Sequence, residues 1–129
     1  DCRYKAFQSF DEYYNGNSSD LTYLKQQYPN VPSSEKELAR MYSSHNMALS
    51  KIDNMTASSV ADCLKNDIGV SLELKIENGL GHAVAVKSIS IYDNGKIKMT
   101  LMNPDRYGIT KMNKINPNKI YNIFRITKF

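Results

Sequence analysis

The sequence predicts an α+β domain, with helices first and an antiparallel sheet after them. Three observations carry this reading. In the first half, aromatic and aliphatic residues recur every three or four positions. From Asp67 onward the period becomes two, the mark of strands. Between two such alternating runs lies Asp93-Asn94-Gly95-Lys96, and Asn-Gly tolerates the positive φ that tight hairpins require. Runs of helices followed by runs of strands give α+β rather than α/β. One domain over 1–129 is expected, its helical half about 1–66 and its sheet half about 67–129.

Each element has its own signal. Tyr4, Phe7, Phe10 and Tyr14 form a helical stripe in CRYKAFQSFDEYY, and NGNSSD ends it with turn formers. Asp20 can cap a short helix through LTYLKQQY, after which PNVP breaks the chain. Ser34 and Glu37 stand at capping-box spacing before ELARMYSSHN, each side chain placed to satisfy the other's free backbone donor. A loop is expected next, then a helix from Thr56 through ASSVADCLKN. Ile68, Val70, Leu72, Leu74 and Ile76 alternate with smaller or polar residues, which predicts a strand with one buried face. His82–Tyr92 and Lys96–Met102 are the arms of the hairpin, and short strands are expected near Tyr107–Met112 and Ile120–Phe129.

The totals exclude several functions. A chain of 129 residues, 41% hydrophobic and 23% charged, suits one domain with a modest core. No apolar run approaches the ~20 residues that span a bilayer, and no signal-peptide pattern is present. Because residue 1 is Asp, the expectation is a mature form or a fragment. The net charge of +4 is spread without a basic run, so no nucleic-acid interface is expected. The nine tyrosines read as half-buried core. Two cysteines and two histidines at scattered positions have no zinc spacing, so neither metal nor cofactor is expected. Asn17-Ser18-Ser19 and Asn54-Met55-Thr56 match the glycosylation triplet, which matters only in a eukaryotic secretory route.

One constellation carries chemistry. A cysteine nucleophile needs its thiolate, and the first turn of a helix supplies positive potential that lowers the thiol pKa. Cys2 stands where such a helix begins. His82, at the start of a strand, can pair with that thiolate and shuttle protons, and Asn103 can hold the imidazole in the right tautomer. Gly79 and Gly81 would leave space for a substrate backbone. Plainer roles exist for each residue. Cys2 could pack under the sheet or pair with Cys63, Asn103 could only shape the turn before Pro104, and Asp105 could orient the histidine in its place. Cys63 reads as helix core, and His45 as a surface-loop residue. Hairpin arithmetic sets a condition. With Asn94-Gly95 as a two-residue loop, Asn103 would face Val86, on the His82 face but roughly 13 Å from it along the strand. A longer loop, a bulge or strong coiling must close that gap.

The segments GHAVAV and NGKIKMTLMNPD resemble the histidine and asparagine segments of papain-like cysteine peptidases, and within them the staphopain branch of secreted bacterial enzymes. DC opening a helix with YYNGNSSDLTYLKQQYPN after it is similar to that branch's cysteine helix and the short helix behind it. LKNDIGVSLELKIENGLGHAVAV resembles its helix-to-strand passage to the histidine, so the likeness touches most of the chain, while only the histidine and asparagine segments are specific. The resemblance implies a papain-like fold, with the first helix bearing the cysteine and packed on a strongly coiled antiparallel sheet. It implies Cys2 as nucleophile, His82 as general base and acid, Asn103 as orienter, and a bulged or coiled hairpin that brings them together. It further implies a peptide or protein substrate, a cognate inhibitor or immunity protein, and secretion or delivery out of a bacterial cell.

Two departures stand out. The family carries a Gln several residues before the cysteine that completes the oxyanion hole. Here it is expected in a segment before Asp1, or else the hole relies on the Cys2 N–H and another donor; losing one donor lowers the rate about 10²–10³-fold. Asp1 is the second, because a carboxylate beside a thiolate opposes its formation. Three functions are therefore carried forward: a thiol peptidase, an effector or toxin domain working as glutamine deamidase or transglutaminase, and a non-catalytic binding module.

Overall fold

The computed structural model describes residues 2–16, 19–53, 57–66, 69–75, 81–91, 93–94, 97–101 and 119–129. Helix α1 (Cys2–Asn15) buries the expected stripe. Tyr4, Phe7 and Phe10 are enclosed, and Tyr14 lies at the border of the same core. Helix α2 (Leu21–Gln27) is capped by Asp20, whose carboxylate accepts the Tyr23 N–H. Helix α3 (Glu35–Ser43) is capped by Ser34, whose hydroxyl accepts the Glu37 N–H at 3.2 Å. The Glu37 carboxylate takes Arg40 Nε at 2.8 Å, one turn further on.

A loop is expected after α3, but the chain turns through Asn46, at φ 62°, into a strand, β1 (Met47–Lys51). Asparagine is among the few residues that adopt this left-handed conformation readily. Helix α4 (Ala57–Lys65) follows, and Thr56, its expected start, lies outside the described residues. Then come β2 (Gly69–Lys75), β3 (Gly81–Ile91), β4 (Ile97–Leu101) and β5 (Ile120–Lys128). The strand expected near Tyr107–Met112 lies outside the described residues.

The five strands form one sheet in the order β1-β5-β2-β3-β4, every neighbour antiparallel. The clean division into a helical and a sheet half is thus corrected: β1, from within the helical half, forms an edge of the sheet beside β5. The architecture is α+β, with an antiparallel sheet and helices packed on it.

The reading of β2 is corrected too. One buried face was expected, yet both are buried from Gly69 through Leu74. The reason is position, because β2 lies between β5 and β3. On one face a side chain at Gly69 would collide with the Phe10 ring of α1, at 2.5 Å from its nearest carbon. The row of Val70, Leu72 and Val84 is enclosed as well, and α4 is the other helix in contact with both β2 and β3. Inserting even one methyl into so tight a seat displaces a buried ring, at a cost of about 1–3 kcal/mol. Gly69→Ala is therefore expected to lower the unfolding free energy by that amount in urea titration, with the m-value unchanged.

Candidate functional site

Cys2 is the first residue of α1, so its sulfur lies in the turn where unsatisfied N–H groups concentrate positive potential. On the sheet, β2 and β3 set Leu74 opposite His82 and Glu73 opposite Ala83. These elements bring Cys2 Sγ to 3.1 Å from His82 Nδ1, across 80 residues of sequence. His82 is buried and Cys2 partly so. The Cys2 thiol titrates below its ordinary range, chiefly through the hydrogen bond to His82. Burial opposes this, while the charge of His82 and the Ala83 backbone add to it. Asp1 lies outside the described residues.

Both cysteines are free thiols, so the alternative of a Cys2–Cys63 bridge is not realised. Cys63 is buried in α4, as a core residue would be. His45 lies in the turn after α3, as expected, but half-buried rather than fully on the surface. Its ring stands edge-on to Phe7 at 4.9 Å, and its Nδ1 is 3.8 Å from Asp11 Oδ2. Asn103 and Asp105 both lie outside the described residues.

The hairpin leading toward them differs from the two-residue form. Ile91 faces Ile97, where the two-residue form would set it opposite Lys98, a register shift of one. A bulge between Val86 and Ser88 shifts it by one more. Leu101, which the two-residue loop would set opposite Ser88, lies opposite Val86. Together the two shifts move β4 two positions toward His82 relative to the two-residue form.

A cleft of about 240 Å³ opens beside the sulfur, lined by Cys2, His82, Ala83, Gly81, Pro32 and Tyr121, with Arg3 and Glu73 also bordering it. The Tyr121 hydroxyl lies 2.5 Å from where a Cβ at Gly81 would stand, so a side chain there would displace it. Gly79 lies outside the described residues. Burial first, and then the Glu73 charge, push the Tyr121 phenol up, which keeps it protonated and able to donate. Beneath the contact runs a network absent from the sequence reading. Arg3 Nε and Nη2 donate to the two Glu73 oxygens at 2.7 and 2.8 Å, and Arg3 Nη1 donates to the Val31 carbonyl at 2.9 Å. Asn122 Nδ2 donates to Glu73 Oε1 at 2.8 Å. A carboxylate set among the leucines of β2 was the available signal, though alternation alone assigned it to the solvent face. Among the described residues no group of three or more His, Cys, Asp or Glu comes together as a metal site would require. Among the same residues, no helix is long and apolar enough to cross a membrane.

No protein-family model matches the chain, and no curated protein does. Among solved structures, the Pseudomonas avirulence protein AvrPphB is similar over 98% of this chain and 90% of its own, with 11% identity and a TM-score of 0.35.

The Cys2 thiol is lowered and borders the cleft whereas Cys63 is buried, so Cys2 is the more reactive. At neutral pH, iodoacetamide is expected to modify Cys2 at least about tenfold faster than Cys63. Peptide mapping of the labelled protein checks this, and unfolding in guanidinium is expected to abolish the difference.

Proposed function

We propose that the chain is a papain-like thiol peptidase in which Cys2 attacks and His82 transfers protons. The observation that carries this reading is the 3.1 Å contact between sulfur and imidazole at the start of α1. The Cys2 thiolate attacks the carbonyl carbon of a peptide bond, forming a C–S bond as the C–N bond breaks. His82 gives its proton to the departing amine. Water then attacks the thioester, His82 accepts its proton, and the carboxylate leaves as the Cys2 sulfur is released. The developing negative charge is assigned to the first N–H groups of α1, where positive potential concentrates.

Sulfur takes Nδ1, so an orienting carboxamide would take Nε2, and Asn103 is assigned that role, with Asp105 as its substitute. That assignment rests on the resemblance of NGKIKMTLMNPD to the asparagine segment of papain-like enzymes. A peptide or protein substrate, an accompanying inhibitor or immunity protein, and action outside a bacterial cell follow from the resemblance to papain-like enzymes.

Cys2→Ala and His82→Ala are each expected to lower cleavage of a casein or peptide-library substrate about 10³-fold or more while leaving circular dichroism unchanged. Normal cleavage by both variants would overturn the proposal. Mass spectrometry of the substrate separates the alternatives. Scission marks a peptidase, exchange of a side-chain amide for a carboxylate without scission marks a deamidase, and no change in any substrate marks a binding module.

A further inference from the structure

The Arg3–Glu73 ion pair lies almost wholly inside the protein, its side chains 15% and 3% exposed. Burying two charges costs about as much as their attraction returns, and apolar replacements are often neutral or stabilising. Stability alone therefore does not account for the pair, and its location suggests another role. Arg3 follows Cys2 in the first turn of α1. Its guanidinium is fixed by three directional bonds, two to Glu73 and one to the Val31 carbonyl. Glu73 is held in turn by Asn122 of β5. In the β2–β3 ladder Glu73 faces Ala83, and the next pair is Leu74 with His82. One unbroken chain of bonds therefore links the residue after the sulfur to the strand residues beside the imidazole.

We propose that Arg3 and Glu73 are positioning residues: their bidentate pair fixes the rotation of the first turn of α1 over β2 and β3 and thereby holds Cys2 at bonding distance from His82. Bidentate geometry suits this role, since a planar fork locks direction as well as distance. The cancellation of charge suits it equally. Arg3 alone would disfavour an imidazolium, and Glu73 alone a thiolate; paired, they give rigidity with little net field. Among the described residues, the titratable or charged groups bordering the cleft beside the sulfur are His82 of β3, Tyr121 of β5, Glu73 of β2 and Arg3 of its own helix. This inference rests on the reading of Cys2 as an activated thiol.

The test compares the pH dependence of Cys2 alkylation by iodoacetamide in the full chain and two variants, with Cys63 as internal reference and thermal melting as the check on folding. The double variant Arg3→Met/Glu73→Leu removes both charges at once, so a change in the sulfur reports geometry rather than field. It is expected to fold, while the acid limb of alkylation moves up by about one pH unit, about tenfold slower on that limb. Arg3→Lys keeps the charge but loses the fork, and a smaller shift of the same sign is expected. An unchanged limb in the folded double variant would overturn the proposal; should that variant fail to fold, an unchanged limb in Arg3→Lys would do so. A wild-type limb in the ordinary thiol range would instead overturn the reading of Cys2 as activated, whatever the variants do.

Discussion

Helix α1 carries the sulfur and the sheet carries the imidazole, so the distance between them depends on how one rigid fourteen-residue rod lies on β2, β3 and β5. The rod is fastened twice. Toward its C-terminal end, the Phe10 ring fills the space above Gly69, and the Tyr14 hydroxyl accepts the Gly69 N–H at 2.8 Å while donating to the Ile126 carbonyl at 3.0 Å. Lys128 adds a bond to the Tyr14 carbonyl at 2.8 Å. At the other end stands the Arg3–Glu73 pair. Packing fixes how close the helix lies, because dispersion is short-ranged but indifferent to direction. Hydrogen bonds at both ends fix its rotation. Few other arrangements of these side chains would leave the first residue of the helix facing the first buried residue of β3.

Four influences compete on the thiol at that position. Partial burial favours the neutral form, whereas the imidazole and the Ala83 backbone favour the anion, and a helix N-terminus favours it on general grounds. Their magnitudes decide the outcome. A helix terminus contributes about 0.3–1 kcal/mol at an accessible site, and a hydrogen bond to a charged group about 1.5–3 kcal/mol. The bond to His82 is thus the largest single effect, which agrees with its leading place among the causes of the shift. An acidic thiol in contact with a histidine and open to a cleft is an arrangement with a chemical use.

Much of this was legible in the sequence, and the remainder has physical reasons. Tyr4, Phe7 and Phe10 declared their helix because a curved rod against a core must repeat every three to four residues. Asp20 and Ser34 declared helix starts because a first turn needs acceptors, and both provide them. Cys2 and His82 could be paired by chemistry although 80 residues apart. What stayed hidden depends on tertiary context. Met47–Lys51 alternates too briefly to declare itself, and only β5, arriving from the far end of the chain, makes it a strand. Glu73 reads as a solvent-facing residue until the strand is known to be central and Arg3 is known to lie above it. The turn after Ile91 looked like a two-residue hairpin because Asn-Gly is a strong local signal, whereas the pairing of Ile91 with Ile97 and the bulge at Lys87 are set by the sheet.

The central claim is that contact with His82 lowers the pKa of the Cys2 thiol in the folded protein. Its most direct measure is the ultraviolet absorbance of the thiolate as pH is lowered, taken as the difference between the protein and its Cys2→Ser variant. The account predicts that this absorbance persists below the ordinary thiol range and retreats to that range when His82 is replaced by Ala. Ionisation in the ordinary range with His82 intact, unchanged by its removal, would contradict it.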